Sequence, residues 1–147
     1  MELPREAVWE MKRPDFGTIY MRLAHMMAER STCARLKVGA VITSPDYRKV
    51  ISLGYNGGAS GQENECESLV PGICGHLHAE ENAIINCDVP RTTGKIVFVT
   101  HLPCPMCAKR LVNLGGVQKV YFREDYRVRD AATILAKANI PLIEMPA

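Results

Sequence analysis

The chain has 147 residues, 47% of them hydrophobic, and a formal net charge of +2 at pH 7. That is enough for one domain with a real core and too little for two, and so small a positive excess argues against a strongly basic nucleic-acid groove. No apolar run approaches the roughly 18 residues of a membrane helix and no secretion signal is visible, so the expected location is cytoplasmic and the six cysteines are expected as reduced thiols rather than three disulfides.

In chain order, a first helix is expected from Phe16 to Arg30, opened by Pro14-Asp15 and carrying Ile19, Leu23, Met26 and Met27 at helical spacing as core positions. Strand-like runs follow at Val38 to Thr43 and Lys49 to Tyr55, joined by Ser44-Pro45-Asp46 as a hairpin turn. Ala79 to Asn86 reads as a second helix, with Cys87 after Asn86 expected within that helix and in the core. A strand from Lys95 to Thr100 comes next, then a helix from Pro105 to about Leu114, a Gly115-Gly116 stop and a strand from Lys119 to Phe122. A last helix, about Val128 to Ala138, precedes a short strand from Leu142 to Glu144. The first two strands form an antiparallel pair, whereas the later alternation implies parallel strands with right-handed crossovers. The fold class expected is therefore α/β, a three-layer α/β/α arrangement around a mixed five-stranded sheet. It forms one domain over residues 1–147, with 1–15 as an N-terminal extension.

Two short segments carry the chemistry: His78-Ala79-Glu80 and Pro103-Cys104-Pro105-Met106-Cys107. Zinc favours imidazole nitrogen and thiolate sulfur, and a catalytic site holds it with three protein groups so that a fourth position stays open. His78, Cys104 and Cys107 supply such a set. If Pro105 opens a helix, both thiolates face one way from its first turn, where the helix dipole favours anionic sulfur. His78 and Glu80 lie at the start of another helix, so two N-termini can face each other across one ion. Glu80 need not be a ligand and is the candidate proton shuttle. Glu81, one residue further round the helix, is expected to point elsewhere. Taken singly, a C-x-x-C also fits a redox pair or half of a structural zinc site, and His-Ala-Glu alone says little.

The H-x-E and P-C-x-x-C combination resembles the signature of zinc-dependent nucleobase deaminases. With Arg30-Ser31-Thr32-Cys33 leading into Val38-Gly39-Ala40-Val41, Gly54-Tyr55-Asn56-Gly57, and Tyr121 to Arg127, the chain from Phe16 to Pro146 resembles the deoxycytidylate (dCMP) deaminase branch of the cytidine and deoxycytidylate deaminase superfamily. The resemblance implies the cytidine-deaminase-like fold and hydrolysis of dCMP to dUMP and ammonia, supplying dUMP for thymidylate synthesis. It also implies Zn2+ on His78, Cys104 and Cys107, with Glu80 moving protons. On the substrate it implies Asn56 at the sugar and the Ala79 amide at the base carbonyl. Arg35 and Arg127, with Lys37 nearby, are candidates for the phosphate, and Tyr126 flanks the base. The ordinary readings are an Asn-Gly turn at Asn56, solvated arginines and a packed aromatic.

Some relatives carry a second, structural zinc, which here implies Cys33, Cys66, Cys74 and His76, pinning the long loop from Gly58 to Gly75. The other reading makes Cys33 a small buried hydrophobe and the loop cysteines free thiols. The segment Gly58-Ala59-Ser60-Gly61 departs from many relatives, which have a proline there, and the loop is shorter than in several of them. In allosteric members that loop helps form a dCTP and dTTP effector site, and relatives assemble as hexamers, so dCTP/dTTP effectors and a homo-oligomer are further expectations of the resemblance.

A tRNA adenosine deaminase shares the metal motifs, but the Gly-Tyr-Asn-Gly segment, the extra cysteines and the lack of a basic tail stand against it. A free-cytidine deaminase needs no phosphate socket. A 5-modified dCMP stays open as substrate, because the residues that would meet C5 are not identifiable. The non-enzyme alternative, a zinc-stabilised binding module, calls for a closed tetrahedral site, whereas only three ligands converge beside an unligated Glu80. Neither a nucleic acid nor a membrane is expected as partner.

Overall fold

A computed structural model of the chain describes residues 13–62, 75–125 and 130–146. The elements are α1 (Phe16–Ala28), β1 (Gly39–Thr43), β2 (Val50–Tyr55), α2 (Ala79–Ile85), β3 (Lys95–His101), α3 (Pro105–Leu114), β4 (Val117–Glu124), α4 (Ala131–Lys137) and β5 (Leu142–Glu144). The five strands form one sheet in the order β2-β1-β3-β4-β5. β1 runs antiparallel to β2 and to β3, while β3, β4 and β5 are mutually parallel. The expected mixed sheet is thus present.

Helices cover both faces of this sheet. On one face, Tyr20, Met21 and Ala24 of α1 pack on Val41, Ile96 and Phe98. On the other, Ala79, Ala83, Ala108, Leu111, Ala131 and Leu135 of the remaining helices pack on Ala40, Ile42, Val97, Val99, Val120 and Phe122. Burial on both faces explains why β1 and β3 read as continuous apolar runs rather than alternating ones.

The contact face of α1 differs from the one expected. Ile19 and Met26 are exposed, and the buried positions are Tyr20, Met21, Ala24 and Ala28. The reason lies across the interface: a Cβ at Gly39 would stand 1.8 Å from the Ala24 carbonyl oxygen. The helix backbone rides directly on the strand, and only small residues fit at that crossing. Gly54 plays the same part beneath α2, where a Cβ would come within 2.3 Å of the Ala79 carbonyl oxygen. Several boundaries also move. β4 extends from Val117 to Glu124, α4 begins at Ala131, and α2 ends at Ile85, which leaves Cys87 half-buried in the loop beyond it rather than in the core.

Candidate active site

Both motif segments open helices on the same side of the molecule. His78 is the N-cap of α2, Cys104 is the N-cap of α3, and Pro105 is the first residue of α3. Proline suits that position because its missing N–H has no helical partner there and its φ is already set. The Cys104 sulfur accepts the Cys107 N–H at 3.4 Å, so the two sulfurs share the first turn of α3, as the spacing requires. His78 Nδ1 lies 3.5 Å from Cys104 Sγ and 3.3 Å from Cys107 Sγ.

These three donor atoms all fall within 4.8 Å of one another, and among the described residues they are the one such group of His, Cys and acidic side chains. One imidazole nitrogen and two sulfurs are a donor set that zinc favours, so the residues present fit that metal. Their electrostatics agree. A hydrogen bond from the Cys107 thiol, with further help from His78, holds the Cys104 thiol down to about 4 against burial. The same bond to Cys104, and burial, push Cys107 well above the ordinary thiol value. Hydrogen bonding to Cys104 raises His78 against the opposing effect of burial. The cluster is three donors competing for too few protons, which a divalent cation relieves.

Glu80 sits beside this group and is 5% exposed. Burial pushes its carboxyl up to about 7, although its own backbone N–H, His78 and the Cys107 thiol favour the charged form. A carboxyl at that value exchanges protons readily near neutral pH. Ala79 between them is fully buried, pressed against β2 at Gly54.

Glu81 is not one of the three grouped donors, yet it is tied to them. Its Oε1 accepts the His78 backbone N–H at 2.9 Å, and its Oε2 faces Arg110 Nε on α3 at 3.5 Å. A capping box was available as the signal for this, with the acidic side chain three residues after the N-cap. Another group missed in the sequence closes the ends of β3 and β4: His101 Nε2 meets Glu124 Oε2 at 2.8 Å, and its Nδ1 lies 2.8 Å from Thr100 Oγ1.

Asn56 comes near the site through a bridge between Gly57 and Leu77, the residue before His78. Its buried amide is engaged on both sides, Oδ1 accepting the Val38 N–H at 2.8 Å and Nδ2 donating to the Leu36 carbonyl at 2.7 Å. Arg35 and Lys37 are exposed in the loop before β1. Cys33 and His76 are buried and hydrogen-bonded to each other. Burial works to raise the Cys33 thiol, but the Leu36 and Arg35 backbone N–H groups and His76 outweigh it and bring the thiol down to about 7. Cys66, Cys74, Tyr126 and Arg127 lie outside the described residues.

Residues 17–124 match the family described as the cytidine and deoxycytidylate deaminase zinc-binding region. ComE operon protein 2 of Bacillus subtilis (strain 168) is 36% identical over 129 residues, covering 83% of this chain and 66% of that protein. The deoxycytidylate deaminase of Mycobacterium phage D29 is 32% identical over 130 residues, covering 78% and 99%. Among solved structures, the dCMP deaminase of the cyanophage S-TIM5 in complex with dCMP and dUMP superposes with a TM-score of 0.79 at 32% identity, covering 91% of this chain and 99% of that one.

Proposed function

The chain belongs to the cytidine and deoxycytidylate deaminase family, and from that premise we propose that it hydrolyses dCMP to dUMP and ammonia, with dUMP passing to thymidylate synthesis. The observation that carries this reading is the convergence of three metal donors beside a buried carboxyl that is not one of them. The similar deaminase in complex with dCMP and dUMP supports the choice of substrate.

His78, Cys104 and Cys107 would hold Zn2+. When bound, that ion makes a water molecule nucleophilic near neutral pH. Glu80 takes the proton released from that water and delivers it to N3 of the cytosine ring while C4 is attacked. The same carboxyl then carries the hydroxyl proton to the departing amino group, so Glu80 ends as it began and the sum is dCMP plus water giving dUMP plus ammonia. Burial suits the residue to both halves of the task, because a carboxyl near 7 accepts and donates at similar cost. The start of α2 offers unpaired backbone donors, of which the Ala79 amide is assigned to the base carbonyl.

Asn56 is assigned to the sugar. One Nδ2 hydrogen is held by Leu36, and an amide nitrogen carries a second. Arg35 and Arg127 are assigned to the phosphate and Tyr126 to the edge of the base. Cys33, Cys66, Cys74 and His76 are assigned to a second, structural zinc, a reading supported by the Cys33–His76 hydrogen bond. We assign the chain to one domain and a cytoplasmic location, with a homohexamer and dCTP/dTTP effectors as the finer expectations. Among the described residues no helix is long and apolar enough to cross a membrane.

Ammonia release with dCMP, deoxycytidine, CMP and a tRNA anticodon stem offered in parallel tests the substrate. Turnover of dCMP alone is the expected result. Turnover of the tRNA stem alone, or of none of the four by zinc-loaded protein, contradicts it and moves the search to RNA or to 5-modified nucleotides.

A further inference from the structure

We infer that Glu81 and Arg110 form a brace that fixes how far apart the two ligand-bearing helix ends stand, which makes Glu81 a positioning residue for the site. The inference rests on the metal reading above.

His78 enters from α2, and Cys104 and Cys107 from α3. The sequence between them runs through the whole of β3, so their separation is a tertiary quantity that local geometry does not set. Glu81 touches both sides of it. One carboxylate oxygen accepts the backbone N–H of His78 at 2.9 Å. That N–H precedes the first turn of α2, so the bond holds the backbone of the ligand residue and with it the direction in which the imidazole leaves the chain. The other oxygen meets Arg110 Nε at 3.5 Å. Arg110 lies three residues beyond Cys107, one turn along α3 on the same side of the helix.

An ordinary capping box is complete with one oxygen on the N-cap N–H. Here the second oxygen crosses to the other helix. The Glu81 side chain is 18% exposed and that of Arg110 is 39% exposed. An ion pair so open to solvent adds little to the stability of the whole fold. What it does define is a distance between helices, and metal affinity is sensitive to outer groups that orient ligands, typically by about 10- to 100-fold. A role for Glu81 as a second proton carrier is disfavoured by the same geometry, because both of its oxygens are engaged by His78 and Arg110.

The test is the rate at which zinc-loaded protein surrenders its metal to a chromogenic chelator, scoring the phase that Cys107→Ala abolishes. Glu81→Gln keeps an acceptor for the His78 N–H and loses the charge, whereas Arg110→Met keeps the aliphatic stem and leaves the cap untouched. The brace predicts zinc loss faster by about 10-fold in each variant, with holoenzyme melting temperatures close to wild type. The double variant should be no faster than either single one, and replacing zinc with cobalt should show a shifted visible spectrum in both. Unchanged zinc loss in Arg110→Met, or effects that multiply in the double variant, reduces Glu81 to a helix cap and overturns the brace. A wild type that binds no zinc overturns the metal reading, and the brace with it.

Discussion

At the start of β3, Lys95 is completely buried, and its Nζ donates to the carbonyls of Pro90, Thr93 and Gly115 at 3.1, 2.8 and 2.8 Å. Past the other end of the same strand, Cys104, Cys107 and His78 are also wholly or partly buried, but they crowd one another for protons. An ammonium has three donors and no acceptor, so three carbonyls complete it. Burial still pulls its pKa below the ordinary lysine value, and the cage keeps the charge tolerable. The carbonyl end of α3 contributes Gly115, where the helix dipole is negative. At the opposite end, soft donors gather at the positive N-termini of two helices. Position on the same β3–α3 unit separates a closed polar cage from one shaped for a visitor.

That contrast can be broken most severely at the metal end. Cys107→Ala removes a fully buried donor and is expected to abolish zinc uptake and ammonia release together. It also forfeits the stabilisation that a bound ion confers, about 4 kcal/mol when free zinc exceeds its dissociation constant a thousandfold. Zinc content and melting with and without added metal check it; a variant that still melts higher with zinc removes Cys107 from the ligand set.

Lys95→Met comes next. Three carbonyls lose their charged donor, a loss of about 3 kcal/mol, which a urea midpoint measures. Zinc content per folded molecule should stay at the wild-type value. If the metal is lost as well, the two ends are not independent.

Gly116→Ala is the mildest. Gly116 has φ +75, and a Cβ there would stand 2.0 Å from the Thr93 carbonyl oxygen, so the cage must shift at a cost of about 2 kcal/mol. Thermal melting should show this with the activity per folded molecule intact, and an unchanged melting temperature would mean that the turn adapts freely.

How well each end can be read from sequence follows from range. His78-x-Glu80 and Cys104-x-x-Cys107 are local patterns whose geometry is set by helix starts, so their convergence could be anticipated. The Lys95 cage could not. A lysine opening a strand reads as an exposed residue, and its burial depends on Gly115, which is twenty positions away. The α1 face failed for a similar reason, because apolar periodicity marks Ile19 and Met26 while the fit against Gly39 selects Ala24 and Ala28. Glu81 was legible in part: its capping-box position was visible, but the reach to Arg110 crosses between helices. The mixed sheet and the three layers followed from alternation of elements, whereas the ends of β4 and α4 depended on pairing and packing that the sequence does not display.

The most direct measurement is zinc content alongside ammonia release from dCMP for wild type and Glu80→Gln. Zinc content equal to wild type with activity lower by about 10²- to 10⁴-fold is the predicted result, because Glu80 moves protons and does not hold the metal. Loss of zinc in Glu80→Gln would make the residue a ligand, and wild-type activity would deny it the proton; either result contradicts an open three-donor site with a separate acid-base carboxyl.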